Sequence, residues 1–327
     1  MTNNTTGGNL MPSQPEFYYV ILAILGSLGV LFNGVLLIVL WKNKTPEFRL
    51  GTSYVIGNLA LSDCLTGIAV LLYVARLDFI TKYQLSMVWA TVETSLMSLM
   101  FLSVERIIAF HYPFASKTLV TVKRTIYVIV FIWIFALTCG VFIYFHTLMT
   151  QLIMTILFEV CVVVFLLSQS YVIFKMQQRK RRNLHCDHDV SIVTKKHMHK
   201  QRLNNHVTKV VLILIVVVVV TLLPYMVALQ IYLLSAVQFR PPLDKKTQEV
   251  VVKFINYFYP VELLNFIVNP IIYAYRLERY RRAFFKTFSF LNCGPFVKQQ
   301  TRHDSETSGE DLKEFKQSLK MKKLIMD

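Results

Sequence analysis

Charged side chains are scarce in this sequence: they account for 17% of 327 residues, whereas hydrophobic side chains account for 54%. A soluble domain of this length has too small a core to bury so much apolar surface. The apolar residues also form long runs, such as 210–223, and a run of roughly 20 residues crosses a bilayer as a helix. The composition therefore excludes an ordinary soluble protein and predicts several membrane-spanning helices.

Cysteine is also scarce, and its placement argues against two kinds of site. The five cysteines are Cys64, Cys139 and Cys161 in apolar runs, Cys186 in a basic loop, and Cys293 after the last run. None lies in a predicted extracellular loop, so neither a disulfide framework nor a cysteine metal site is expected. The basic loop also contains His185, His188, His197 and His199, which we expect to be solvated rather than bound to metal.

Lysine and arginine are absent from residues 1–16, although the formal net charge of the chain is +16. Basic residues are instead concentrated at 175–209 and 276–286. Because basic loops stay on the cytoplasmic side, we predict a multi-pass plasma-membrane protein with an extracellular N-terminus and a cytoplasmic C-terminus. A nucleic-acid partner is not expected, since the basic segments lie between spans and contain few aromatic residues to stack on bases.

Apolar runs bounded by charge, proline or glycine predict seven membrane-spanning helices. They lie near residues 17–41, 53–75, 84–110, 125–147, 150–177, 207–236 and 249–275, with only about 145–150 available for the turn between the fourth and fifth. After the seventh, basic residues are interleaved with Tyr280, Ala283, Phe284 and Phe285 at helical spacing, which predicts an amphipathic helix on the membrane surface.

The predicted fold class is therefore all-α, a seven-transmembrane-helix bundle followed by a short surface helix. Residues 1–16 are predicted to be an extracellular N-terminus, 17–290 the bundle with its surface helix, and 291–327 a cytoplasmic tail.

Five polar residues inside the predicted spans are expected to meet in the bundle centre: Asn33, Asp63, Ser95, Asn265 and Asn269. An ionised carboxylate in the middle of a span costs roughly 2.5–3.5 kcal/mol, so these side chains need partners inside the bundle. They could form a functional site or a purely structural hydrogen-bond network.

The order of motifs along the chain resembles that of class A, rhodopsin-like G-protein-coupled receptors over nearly all of residues 17–290. The motifs are Asn33-Gly34, Leu59 to Asp63, Glu105-Arg106-Ile107, Trp133, Tyr171, Pro224, and Asn269-Pro270-Ile271-Ile272-Tyr273. The resemblance implies a receptor without enzymatic activity that acts on a heterotrimeric G protein, with arrestin and a receptor kinase as further partners in a lipid membrane.

The resemblance also implies roles for individual residues. A sodium ion, an allosteric ligand rather than a cofactor, would be held by Asp63, Ser95, Asn265 and Asn269. Glu105 would hold Arg106 at rest; on activation Arg106 would be released to meet the G protein near Tyr171 and Tyr273. Pro224 and Pro270 would kink the sixth and seventh spans, since proline removes a backbone donor.

Several positions depart from the family pattern. Ile107 and Leu222 replace the usual tyrosine and tryptophan, and Asn204 replaces an acid often found near the foot of the sixth span, so elevated basal signalling is expected. The fifth span has no proline and the outer loops have no cysteine pair, which resembles the melanocortin, adenosine and cannabinoid receptor group. The paired acids of melanocortin receptors are missing, however: Thr81, Leu85 and Val88 stand in that region.

Three further carboxylates are predicted at one level of the bundle: Glu93, Glu159 and Glu262. Glu262 precedes Asn269 by seven residues, close to two helical turns, so its side chain should point into the bundle. One interpretation is a pocket for a small cationic molecule or peptide, with Tyr73, Tyr225 and Tyr259 as aromatic walls. The alternative is that the acids are neutral or hydrogen-bonded to nearby Ser, Thr or Gln side chains.

Short motifs at the two ends predict modification. Asn3 and Asn4 begin overlapping glycosylation sequons, and Cys293 lies where a juxtamembrane cysteine is palmitoylated. Ser305, Thr307 and Ser308 stand beside acids in a candidate kinase and arrestin region. Two rival functions remain open: a decoy or partner subunit without G-protein coupling, and a transporter, which would need a continuous polar path or an inverted repeat.

Overall fold

The fold is taken from a computed structural model of the chain. It describes residues 15–43, 45, 48, 50–76, 78–112, 120–145, 148–185, 216–237, 243–276 and 278–288. Within these ranges every regular element is a helix, and seven of the helices are long and apolar enough to cross a membrane. The prediction of an all-α bundle with seven spans is confirmed.

The described residues form helices that follow one another along the chain in this order. They are α1 (Glu16–Lys42), α2 (Gly51–Val74), α3 (Asp78–His111), α4 (Val122–Phe145), α5 (Leu148–His185), α6 (Val216–Ala236), α7 (Lys245–Arg276) and α8 (Glu278–Thr287). Only positions 146 and 147 separate α4 from α5, in agreement with the short turn predicted there. The first residues predicted for the sixth span, 207–215, lie outside the described residues.

The membrane-crossing part of α5, Leu148–Lys175, agrees with the span predicted near 150–177. The helix itself continues beyond this span to His185. The added segment is rich in Gln, Arg and Lys, which are good helix formers, so the backbone stays helical after the side chains turn polar.

Helix packing closes the bundle around α3. Neighbours in sequence pack together from α1 to α6, α6 packs on α7, and α7 returns to α1 and α2. Helix α3 contacts α2, α4 and α5. In their most apolar stretches α2 and α3 bury 61% and 67% of residues, against 28% for α1, α4 and α5. The outer helices therefore present most of their apolar surface to lipid.

Glycines allow two pairs of helices to approach closely. A Cβ atom on Gly67 of α2 would lie 2.9 Å from the Gly26 carbonyl oxygen of α1, and one on Gly140 of α4 would lie 2.8 Å from the Ser86 carbonyl oxygen of α3. No side chain fits at these distances, so α1–α2 and α3–α4 are backbone contacts of the kind that small residues permit in membranes.

Prolines act differently in the last two spans. In α6 a turn at Leu222 interrupts the helix, which resumes as Leu223–Ala236 with Pro224 in its first turn. In α7 Pro260 and Pro270 lie inside a continuous helix.

The start of α7 is capped by Asp244, whose carboxylate accepts a hydrogen bond from the Thr247 amide at 3.1 Å. The Thr247 hydroxyl and amide lower the pKa of Asp244 by stabilising its ionised form.

The chain divides into two units, Met1–Arg281 and Arg282–Asp327. In the second unit the described residues include Phe284, whose ring packs against those of Phe285 and Phe288 with centroids 6.0 and 5.0 Å away.

Candidate functional site

Helices α2, α3 and α7 bring polar side chains together in the bundle centre. Asp63 is completely buried, and the Asn269 amide donates to its Oδ2 atom at 3.0 Å. Ser95 of α3 is buried and its side chain faces the same carboxylate. Asn265 is buried one turn before Asn269 on α7. The structure thus gathers four of the residues that the sequence placed in one cluster.

The fifth residue, Asn33 of α1, joins the cluster through a backbone carbonyl. Its amide donates to the carbonyl oxygens of Gly29 at 2.9 Å and Phe266 at 3.0 Å. Phe266 lies four residues before Pro270, which has no N–H to donate to it. Asn33 therefore satisfies the carbonyl that the proline leaves without its helical partner.

Oxygen atoms without partners are concentrated in this polar centre. Asp63 Oδ1, Ser95 Oγ, Asn265 Oδ1 and Asn269 Oδ1 are buried and have no hydrogen-bond partner. Buried acceptors normally find partners, so these four invite a donor or a small cation. One carboxylate with neutral oxygens suits a hard cation, and the residues therefore fit a sodium ion. The described residues contain no group of three or more His, Cys, Asp or Glu side chains that could hold a metal ion.

The motif at the far end of α3 has different partners from those that the resemblance implied. The Glu105 carboxylate accepts a hydrogen bond from the Thr52 hydroxyl of α2. In the described part of the chain no ion pair joins Glu105 to Arg106. Arg106 has the Tyr273 side chain of α7 and the Glu105 carboxylate within electrostatic range, and its Nη1 atom has no hydrogen-bond partner. Thr52 thus satisfies one oxygen of the Glu105 carboxylate, whereas its Oε2 atom has no hydrogen-bond partner.

Aromatic rings connect this end of the bundle to the residues after α7. The Tyr273 ring is buried and lies 6.2 Å from that of Tyr280, which lies 5.2 Å from Phe48. Tyr171 of α5 is 37% exposed, with the Lys175 ammonium 5.7 Å from its ring centroid. Tyr273 thus lies within electrostatic range of Arg106, as the resemblance implied.

The three intramembrane glutamates have different surroundings. Glu93 of α3 is buried and interacts with Cys139 of α4 and Cys161 of α5. Glu159 of α5 is only partly buried. Glu262 of α7 is buried and interacts with tyrosines of α1, α6 and α7. Glu93 and Glu262 therefore have different neighbours, and an acidic pocket shared by the three glutamates stays a prediction.

Glu262 lies within electrostatic range of Tyr18, Tyr225 and Tyr259. The ring centroids of Tyr225 and Tyr259 are 6.1 Å apart. Tyr73 lies within electrostatic range of Tyr18 and Tyr259. A ligand site formed by these residues stays a prediction.

Comparison with known proteins agrees with this arrangement. Residues 32–152 match the model of the 7 transmembrane receptor (rhodopsin family). A segment of 141 residues is 28% identical to G-protein coupled receptor 3 of Rattus norvegicus and covers 42% of this chain and 42% of that protein. Over these residues the chain is similar to the rhodopsin family of seven-transmembrane receptors. The matched segment spans less than half of the rat receptor, and the narrower subgroup stays a prediction.

The family that matches residues 32–152 is one of receptors rather than enzymes, in agreement with the prediction that the chain has no enzymatic activity.

Several predicted sites lie outside the described residues: Asn3, Asn4, His188, His197, His199, Asn204, Cys293, Ser305, Thr307 and Ser308. Their predicted modifications and roles stay predictions.

Three hydrogen bonds between helices were not predicted from the sequence. The Asn58 amide donates to Ser98 Oγ at 2.9 Å and its oxygen accepts from the Trp133 indole at 2.8 Å, which joins α2, α3 and α4. The Thr66 hydroxyl donates to Thr91 Oγ1 at 2.8 Å. A polar residue such as Asn58 inside an apolar run was the available signal, because it must have a partner within the bundle.

Proposed function

We propose that this chain is a plasma-membrane receptor that converts binding of an extracellular ligand into activation of a heterotrimeric G protein. The observation that carries the proposal is the order of three sites along one bundle. The Glu262 and tyrosine group lies toward the end where α1 begins, Asp63 and Asn269 lie in the centre, and Arg106 with Tyr273 lies toward the opposite end.

Two of the helices run through all three levels. Helix α7 carries Glu262, Asn269 and Tyr273, so a change at the first can alter the packing of the last. Helix α3 carries Ser95 and Arg106. Such a rigid connection between two ends is what a receptor needs, because coupling requires an element whose arrangement both sites influence.

Arg106 is the group we propose for contact with the G protein. Its buried Nη1 donor has no partner, and an unsatisfied buried donor is costly. A partner helix that presents its unbonded C-terminal carbonyl groups would supply acceptors. In this proposal the ligand at the other end is a cation bound by Glu262, sodium binds at Asp63, and arrestin and a receptor kinase act on the tail.

The test is nucleotide exchange on a panel of G proteins in membranes that contain the wild-type chain or Arg106→Ala. Removal of a principal contact should lower exchange at least about tenfold. Lys123→Ala is the matched control, since it removes an exposed basic side chain at the start of α4, on the same predicted side of the membrane. Exchange should be unchanged in this control.

Equal exchange with wild type and Arg106→Ala would contradict the role of Arg106. Exchange no higher than in mock membranes, with and without candidate ligands, would favour the rival interpretation of a decoy or partner subunit. Ile107 and Leu222, which depart from the family pattern, are the features that make this rival worth testing.

A further inference from the structure

An amide side chain joins α5 to α3 one helical turn from Arg106. The Gln169 Nε2 atom donates to Ser103 Oγ at 2.7 Å, and the two residues are only 2% and 0% exposed. Ser103 precedes Arg106 by three residues on α3. Residues three apart on a helix are surface neighbours, with Cβ atoms roughly 5–6 Å apart. The hydrogen bond therefore brings the end of the Gln169 side chain to the turn of α3 that carries Arg106.

The hydrogen bonds of Ser103 fix the orientation of the Gln169 amide. The Ser103 hydroxyl donates to the Leu99 carbonyl oxygen of its own helix at 2.9 Å. Because a hydroxyl has a single hydrogen, Ser103 can only accept from Gln169, and the NH2 end of the amide has to face it. The Oε1 atom of Gln169 therefore points away from Ser103 and is left for a different partner.

The Gln169 amide oxygen and the Arg106 guanidinium are an unmatched acceptor and an unmatched donor. Gln169 Oε1 is buried without a hydrogen-bond partner, and so is Arg106 Nη1. A guanidinium has five N–H donors and no acceptor, whereas an amide oxygen has two lone pairs and no donor, so each supplies what the other lacks. Leaving either group unsatisfied in a buried site is costly.

Two other acceptors near Arg106 have to be weighed against Gln169. Glu105 is the next residue along α3, and adjacent residues on a helix do not face each other. Its carboxylate is turned to α2, where it accepts the hydrogen bond from Thr52. The Tyr273 hydroxyl has no partner and lies within electrostatic range of Arg106. Tyr273 is therefore the competing acceptor that an experiment has to exclude.

We propose that the Gln169 amide oxygen holds the Arg106 guanidinium, so that Gln169 is a positioning residue for Arg106. A turn of the Arg106 side chain towards α5 makes the hydrogen bond, and Ser103 keeps the amide in the orientation that receives it. A hydrogen bond with a charged donor is roughly twice as strong as a neutral one. The contact itself concerns this chain alone. Its signalling consequence, that a G protein displaces Gln169 from Arg106, rests on the proposed function.

The experiment measures thermal unfolding of the purified full chain in lipid nanodiscs, without a G protein. Gln169→Met removes both ends of the amide and should lower the unfolding midpoint by roughly 3–6 °C. Gln169→Glu loses the donor to Ser103 but offers Arg106 a charged acceptor, so it should recover much of this loss. Ser168→Ala is the matched control on α5, because its hydroxyl donates to the Val164 carbonyl oxygen within the same helix. The midpoint of this control should equal that of wild type.

A second arm repeats both Gln169 variants in an Arg106→Ala background. Without the guanidinium, the new carboxylate of Gln169→Glu is buried without its partner, so this variant should become less stable than Gln169→Met. An anchor on Ser103 alone predicts no such reversal, because both variants lose the anchor in both backgrounds.

A third arm uses Tyr273→Phe, which removes the competing hydroxyl but keeps the ring. In this background Gln169→Glu should remain more stable than Gln169→Met, as in the otherwise wild-type chain. Loss of that order in Tyr273→Phe would assign Arg106 to the Tyr273 hydroxyl and overturn the proposal.

The outcomes separate this proposal from the proposed function. If Gln169→Glu is no more stable than Gln169→Met, or if the order stays the same without Arg106, Gln169 does not hold Arg106, even if nucleotide exchange depends on Arg106. A reversed order supports the contact even if no G protein is activated. If Arg106→Ala does not yield folded protein, Arg106→Met takes its place, because methionine keeps most of the side-chain length and has no N–H donor.

Discussion

The Asn33 side chain shows how a single residue can join two helices of this bundle. Its amide donates across to the Phe266 carbonyl of α7, which Pro270 leaves without a helical partner. It also donates to Gly29 within its own helix. A residue with two N–H donors is needed to make both bonds at once, and asparagine supplies them on a short side chain.

The prediction at the residue scale concerns the hydrogen bond from the Asn33 amide to the Phe266 carbonyl oxygen. Asn33→Ala should lower the stability of the purified receptor by roughly 1–3 kcal/mol, because it leaves the buried Phe266 carbonyl unsatisfied. Thermal unfolding in nanodiscs measures the effect. The cost should shrink in a Pro270→Ala background, in which the backbone N–H restored at position 270 can bond to Phe266. An equal cost in both backgrounds would show that the carbonyl is not the reason for Asn33.

At the scale of helices, the hydrophobicity of the sequence predicted well which membrane-spanning helices exist. It predicted less well where each helix begins and ends. Runs of apolar residues identified all seven spans because the bilayer requires helices of a defined length. The hydrophobicity of the sequence could not show where α5 ends, since the last turns of this helix are polar and depend on helix propensity rather than lipid contact. Nor could it show the contact of Glu105 with Thr52, because that depends on how α2 and α3 pack.

The element-scale prediction tests the close packing of α1 on α2. Gly67→Ala places a Cβ atom 2.9 Å from the Gly26 carbonyl oxygen, so the helices must separate. We expect a loss of about 1–3 kcal/mol, measured as a lower unfolding midpoint. Gly57→Ala is the matched control on α2, because its Cβ would make an ordinary 3.6 Å contact with Leu40. Similar losses in both variants would indicate that the approach at Gly67 is not tight.

At the scale of the whole molecule, the sequence predicted sites best where one helix carries the residues. The inward direction of Glu262 followed from its spacing to Asn269, and the structure buries it. Tyr18 could not be found in the same way, because it lies on α1 and reaches Glu262 only through tertiary packing. The common level predicted for the three glutamates says nothing about their direction around the bundle, so a shared pocket stays a prediction.

The polar centre carries the prediction that involves the whole bundle. Because Asp63, Ser95 and Asn269 come from three helices, a sodium ion bound between their partnerless oxygens would stabilise the arrangement of all three. Sodium chloride should therefore raise the unfolding midpoint of wild type more than potassium chloride at equal ionic strength, as mass action requires for a ligand of the folded state. Asp63→Asn should abolish the difference between the salts, while Glu93→Gln should retain it. If Asp63→Asn responds to sodium as wild type does, the partnerless oxygens belong to a structural network rather than to an ion site.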